Sequence, residues 1–181
     1  INIHRDNLYM RIETDVKLDY CDVLLRPKRS VIGSRKEVDL TRSFKFVNSG
    51  KEYNGIPIMA ANMQGVGTPQ MVEALCGNSM FTCLDKNKQP VDIWEWSGAH
   101  PNKSKIMESF AVSTGITDVD IERIDATMKL SRSIQYVCID VANGYSERFL
   151  KYVSRFREKY PDVTIIAGNV VTADITEELI L

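Results

Sequence analysis

Two charged residues are set apart because each follows an apolar run: Asp140 closes the stretch YVCID, and Lys86 comes directly after MFTCLD. A carboxylate carried to the end of a buried strand is costly unless it is paired, which directs attention to a cation on a neighbouring strand end. A Lys86 and Asp140 pair would keep both groups charged, relay a proton or steady a departing amine. The plainer alternatives are that Asp140 caps the following loop and that Lys86 is a solvated surface lysine. The basic run Arg26-Pro27-Lys28-Arg29-Ser30, with Ser34 and Arg35 close behind, suits either a phosphate cradle or a solvated arm. Asn143-Gly144 and Gly168-Asn169 give the backbone freedom for a ligand's close approach, or simply make tight turns.

Other chemistries have less to work with. Cys21, Cys76, Cys83 and Cys138 lack metal-ligand spacing, and Cys83 and Cys138 sit inside apolar runs, so all four read as free buried thiols. His4 and His100 lie in polar segments and offer no basis for a histidine triad or a histidine-rich metal site. No metal ligand set is expected among these residues. The 23 basic and 24 acidic residues are spread along the chain, leaving no electrostatic footprint for nucleic acid or an anionic membrane. A small-molecule partner is therefore favoured. No run approaches the roughly 18 to 20 apolar residues of a membrane span, and INIHRDNLYM lacks a signal-peptide core. A cytosolic protein is the expectation.

The elements that must position these residues follow from periodicity. From Gly55 onward, short apolar runs alternate with amphipathic stretches at a spacing of roughly 25 residues, as βα units require. Strands are expected at Ile56–Ala61, Met80–Leu84, Ser109–Ser113, Tyr136–Val141 and Thr164–Ala167. They lack clean polar alternation, which suits strands buried on both faces of a parallel sheet. Thr68 and Pro69 open a helix that Gly77 should stop; Asp118 should cap another carrying Ile121, Ile124 and Met128. Phe149, Val153, Phe156 and Tyr160 mark one face of a longer helix ending at Pro161, and Thr172 opens a last one with Ile175 and Leu179. Two architectures fit: an open doubly wound sheet, or an α/β TIM (β/α)8 barrel truncated after about five units, since a whole barrel has eight. No GxGxxG occurs at any strand-to-helix turn, which favours the barrel. In a barrel the carboxyl ends of the strands form the active face, and there the polar residues gather: Asn62, Asp85, Lys86, Thr114, Asp140, Asn143 and Asn169.

The segments LDYCDVLLRPKRSVIGSR, GIPIMAANM, YVCIDVANGYSERF and IIAGNVVTADITEELIL resemble the GMP reductase family, and less closely the related IMP dehydrogenases. The resemblance runs from Met10 to Leu181, leaving residues 1–9 as an amino-terminal tail ahead of an incomplete barrel domain, 10–181. It implies a barrel that reduces GMP to IMP with oxidation of NADPH and release of ammonia, through a cysteine that attacks the purine and splits one hard substitution into two easier steps. By the same resemblance, Ser34, Arg35, Lys86, Asp140, Val141 and Ala142 fall on cofactor positions, and Lys86 with Asp140 manages protons around the departing ammonia. A homotetramer and a potassium site in the full-length form are also implied.

The resemblance puts the nucleophilic cysteine on a loop beyond Leu181, so none of the four cysteines present takes that role and the chain by itself is expected to be inactive. Five strands of eight would leave two open parallel edges, which favours self-association or aggregation. Two local departures stand out: Gln64 and Gly65 replace an acid and a hydroxyl of the family's AANMDTVGT, and Asp85-Lys86-Asn87-Lys88 keeps only the lysine of HKHY. Alternatives of other kinds are a non-catalytic remnant or assembly partner, and an NAD-dependent enzyme of the IMP dehydrogenase type.

Overall fold

The structure, a computed structural model, describes residues 14–181. The expected tail, residues 1–9, lies outside them. The chain falls into two compact units, one ending at Val38 and one spanning Asp39–Leu181. Within the first, the described residues form two single-turn 3-10 helices, Tyr20–Asp22 and Arg35–Glu37, each capped by the side chain before it, Asp19 and Ser34.

The second unit begins with an antiparallel hairpin, β1 (Arg42–Lys45) and β2 (Glu52–Gly55), and continues with a five-stranded parallel sheet. Its strands are β3 (Met59–Ala60), β4 (Phe81–Cys83), β5 (Phe110–Thr114), β6 (Tyr136–Asp140) and β7 (Thr164–Gly168), side by side in chain order. Sequential order with helical crossovers is barrel connectivity, and the sheet curls into a half-barrel. The helices are α1 (Pro69–Gly77), α2 (Pro90–Ala99), α3 (Lys103–Met107), α4 (Asp118–Leu130), α5 (Glu147–Lys159) and α6 (Ala173–Ile180). None is long and apolar enough to cross a membrane.

All five expected strands are present. The first is shorter than its apolar run because Pro57 has no N–H to give to a ladder. Four elements escaped the periodicity. The hairpin turns through Gly50 at φ 68°, with Phe46 N donating to Lys51 O at 2.8 Å; β1 is exposed throughout, and β2 alternates over only four residues. Helices α2 and α3 bury only two residues each, so neither shows an apolar stripe. Two boundaries also move. Thr117, rather than Asp118, caps α4 through a reciprocal box with Asp120. Helix α1 runs through Gly77, and the left-handed residue after it is Ser79, whose N–H bonds Cys76 O at 3.1 Å.

Side chains alternate across the sheet, as strand geometry requires. Leu84, Phe110, Val112, Val137 and Ile139 face the helices and pack with Val72, Ile124, Phe149 and Phe156. Phe81, Cys83, Ala111, Tyr136 and Cys138 face the concave side. Phe81 and Tyr136 meet edge to face, centroids 5.0 Å apart, and Phe46 of the hairpin stacks edge-on against Tyr136 at 6.1 Å. Beneath these rings the hairpin bounds an apolar cavity of about 310 Å³, lined by Phe44, Phe46, Tyr53 and Ile166 among others. It sits at the amino-terminal ends of the strands, opposite the polar rim. Three of the four cysteines are buried as expected; Cys21, on a single-turn helix too short to bury a face, is exposed.

Phe149 is fully buried between α5 and the sheet. Phe149→Ala is expected to lower unfolding free energy by about 3–5 kcal/mol, whereas Val119→Ala, at a position 62% exposed, should change it by less than about 0.5 kcal/mol. Urea denaturation of the two variants checks this.

Candidate functional site

The carboxyl ends of β3 to β7 form one rim, and the alternation along β6 decides what reaches it. Tyr136 and Cys138 face the concave side, so Asp140, two residues further on, does too. Asp140 is half-buried and accepts a hydrogen bond to Oδ2 from Nδ2 of Asn62, 3.0 Å away, just beyond β3. Asn62 is thus the observed partner of this carboxylate, across two intervening strands. Nothing in its spacing distinguished it from the other polar strand ends.

Lys86 lies on the same rim, three residues beyond β4, and is exposed. It makes no ion pair with Asp140 within 4.0 Å; the ion pairs among the described residues lie elsewhere. Its charge acts on Asp120 instead, in the first turn of α4. The reason is local. Asp85, buried beside Lys86, accepts from the backbone N–H and side-chain amide of Asn87 at 2.9 and 3.0 Å, which folds the segment into a tight turn. Arg123 of α4 then donates to Lys86 O at 3.1 Å, tying that turn to the helix.

Burial disfavours charge on Asp120, but the hydroxyl and amide of Thr117, then Lys86 and Arg123, outweigh it and hold the carboxyl below its ordinary value. Thr117 Oγ1 donates to Asp120 Oδ2 at 2.6 Å, and Arg123 lies 3.4 Å from Oδ1. Gly115 makes this arrangement possible, because any Cβ there would collide with the Asp120 carboxylate.

The loops of the rim are fastened to one another by backbone. Gly67 O accepts from Asp85 N at 2.9 Å, and a Cβ on Gly67 would stand 2.8 Å from that same nitrogen. Past the strands proper, Val141 N donates to Gly168 O and Asn169 N to Val141 O, both at 2.8 Å. Gly144 N donates to Asn169 O at 2.8 Å, and a Cβ on Gly144 would come within 2.6 Å of that oxygen. Gly144 thus serves the meeting of two loops of this protein. Gly65 is needed for its backbone conformation, since at φ 79° it turns the Met63–Gly67 loop through a region that L side chains rarely adopt. Gln64 beside it is exposed.

Of the residues singled out in the sequence, Lys86, Asp140, Val141 and Ala142 share this rim, with Val141 partly buried and Ala142 exposed. Ser34 and Arg35 belong to the other unit, where Ser34 Oγ accepts from Lys36 N at 3.2 Å and both residues are exposed. Cys83 and Cys138 are buried on the concave face, and interaction with Cys83 holds the Cys138 thiol below its ordinary value. Interaction with Cys138, then burial and the charge of Asp140, push the Cys83 thiol well up. Cys76 is held in α1, where it accepts from Ser109 Oγ at 3.3 Å.

Comparison with known proteins gives this geometry its family. The family model for the IMP dehydrogenase / GMP reductase domain matches residues 17–181. The chain belongs to that family. GMP reductase 2 of Homo sapiens is 49% identical over 170 residues, which are 94% of this chain and 48% of that protein. GMP reductase of Salmonella typhi is 46% identical over 173 residues, 95% of this chain and 49% of that protein. The chain therefore spans about half the length of the curated relatives it matches. Inosine 5' monophosphate dehydrogenase from Legionella pneumophila superposes with a TM-score of 0.70 at 22% identity, over 88% of this chain and 46% of that one. The superposition places the five-stranded sheet within that enzyme's fold.

A carboxylate whose native pKa is lowered stabilises the fold above its unfolded value, and that contribution is lost as pH falls through the native pKa. For Asp120 the window opens below about pH 4. Asp120→Asn should therefore reduce the difference in stability between pH 7 and pH 3 relative to wild type, as chemical denaturation at the two pH values would show.

Proposed function

We propose that this chain supplies the first half of a GMP reductase barrel, taking part in NADPH-dependent reductive deamination of GMP to IMP with release of ammonia. The observation that carries this reading is identity of 46–49% to GMP reductases across 94–95% of the chain. The rim is consistent with it in kind. An exposed ammonium at Lys86 suits an anionic phosphate, while the Asn62 and Asp140 pair and the exposed backbone of Ala142 suit the amide and hydroxyl groups of a nucleotide. Lys86, Asp140, Val141 and Ala142 would hold NADPH; Ser34 and Arg35 are the cofactor contacts proposed for the amino-terminal unit. NADPH supplies the hydride.

The residues of this chain act on protons and position. The hydrogen bond from Asn62 fixes one oxygen of Asp140, and the other would take or give a proton as ammonia forms. Lys86 would complement negative charge there and, by its field, favour the ionised form of a neighbouring acid. The nucleophile belongs to the family segment that follows these strands. A cytosolic homotetramer is part of the same reading.

The test uses two forms. With the chain itself, calorimetric titration should show NADPH binding that Lys86→Ala and Asp140→Ala each weaken. In a form extended through the family's catalytic loop, both substitutions should depress NADPH-dependent conversion of GMP by at least about tenfold, the scale of lost acid–base help. Near-normal turnover in both variants would remove the pair from the mechanism. Oxidation of IMP with NAD as the preferred reaction would reassign the chain to the dehydrogenase direction.

A further inference from the structure

Side chains as well as backbone tie the loops of the rim, and each tie reaches to the helix that follows the next strand. Arg123 of α4 donates to Lys86 O in the loop after β4 at 3.1 Å, and Arg148 of α5 donates to Ile116 O in the loop after β5, also at 3.1 Å. The loop after β6 is held in the opposite sense. Here the donor sits on the loop: the Tyr145 hydroxyl reaches across 29 residues of sequence to Oδ2 of Asp174, in the first turn of α6, at 2.6 Å. A hydroxyl on a carboxylate at that distance is a charge-assisted bond, stronger than a neutral one.

What this third tie constrains is the segment that leaves Asp140. Its inner side is sewn to the β7 loop by backbone, Val141 N to Gly168 O and Gly144 N to Asn169 O, both at 2.8 Å. Its outer end is Tyr145, whose N–H donates to Asn143 Oδ1 at 2.9 Å, so a pull on the ring is passed to the loop. Tyr145 is 59% exposed. Packing therefore does little to hold the ring, and the hydroxyl bond is what fixes it. Both partners are kept in the forms the bond needs. Hydrogen bonds from Thr172 and then Tyr145 hold the Asp174 carboxyl below its ordinary value, and an anion in the first turn of a helix is favoured. The same bond pushes the Tyr145 phenol up, which keeps its proton in place.

We propose that Tyr145 and Asp174 are a positioning pair that sets the Val141–Ala142 segment for the nicotinamide dinucleotide, an inference that rests on the cofactor reading given above. Neither residue has to touch the cofactor. The pair acts through the loop, by fixing the distance between the β6 loop and α6 before any ligand arrives, so the cost of ordering that segment is not charged to binding.

The experiment uses the chain itself, with Tyr145→Phe, which keeps the ring and removes the donor, Asp174→Ala, and Asp174→Asn, which keeps an acceptor. Amide hydrogen exchange reads the loop without ligand, and calorimetric titration reads NADPH. Tyr145→Phe and Asp174→Ala should each speed exchange at Val141, Gly144 and Asn169 and weaken NADPH binding, both by about tenfold, the scale of one hydrogen bond to a charged group. The amide of Leu84, bonded to Ala111 O, should keep its wild-type rate, which separates a loosened loop from a loosened fold. The double variant Tyr145→Phe/Asp174→Ala should bind no more weakly than either single one, and Asp174→Asn should retain most of the affinity. If Asp174→Ala does not fold, Tyr145→Phe, at an exposed position, decides. Unchanged exchange in Tyr145→Phe, additive losses in the double variant, or wild-type NADPH affinity in Tyr145→Phe would each overturn the proposal and leave the cofactor reading standing. Failure of the wild-type chain to bind NADPH would overturn that reading, and the proposal with it.

Discussion

Alternation in parallel strands buried on both faces is the constraint on which the rest of this structure depends. Each strand must satisfy two different neighbours, helices on one side and the concave interior on the other. Val137 and Ile139 are fully buried against the helices, and Tyr136 and Cys138 are buried on the opposite face. A slip of one residue in β6 would exchange the two sets and turn Asp140 into the helical layer. The position of the carboxylate is thus fixed by packing that begins at Tyr136, four residues earlier.

The same ladder continues past the strand ends into loop-to-loop backbone bonds, which gives the rim its definition. Gly67 against Asp85 and Gly144 against Asn169 are points where any side chain would separate two loops. Two electrostatic centres result. Asn62 serves Asp140, while Lys86 and Arg123 serve Asp120. Separating them leaves Lys86 exposed and avoids an ion pair with Asp140, where desolvation would offset much of the attraction.

Much of this fold is legible in the residues alone. Apolar runs without polar alternation located all five parallel strands, and the strand-end positions of Lys86 and Asp140 put both on one rim. The direct pairing of these two was not borne out, because sequence position gives the rim but not the direction of a side chain. The Asp85 and Asn87 turn redirects Lys86, and the Asn62 amide takes up the carboxylate. Strand β1 and helices α2 and α3 were invisible for a related reason: they bury too little for a period to register, and β2 alternates over only four residues. The box at Thr117 was readable, since T-x-x-D is a start signal, but the aspartate next to it drew the cap instead.

The carboxyl ends of these strands, and no other surface of the sheet, are expected to receive the nucleotide. Backbone amide chemical shifts recorded during addition of NADPH measure this residue by residue. The largest changes should fall at Asn62, Lys86, Asp140, Val141 and Ala142. Changes concentrated at the opposite end, around Phe81 and Tyr136 and the cavity beneath the hairpin, would contradict it.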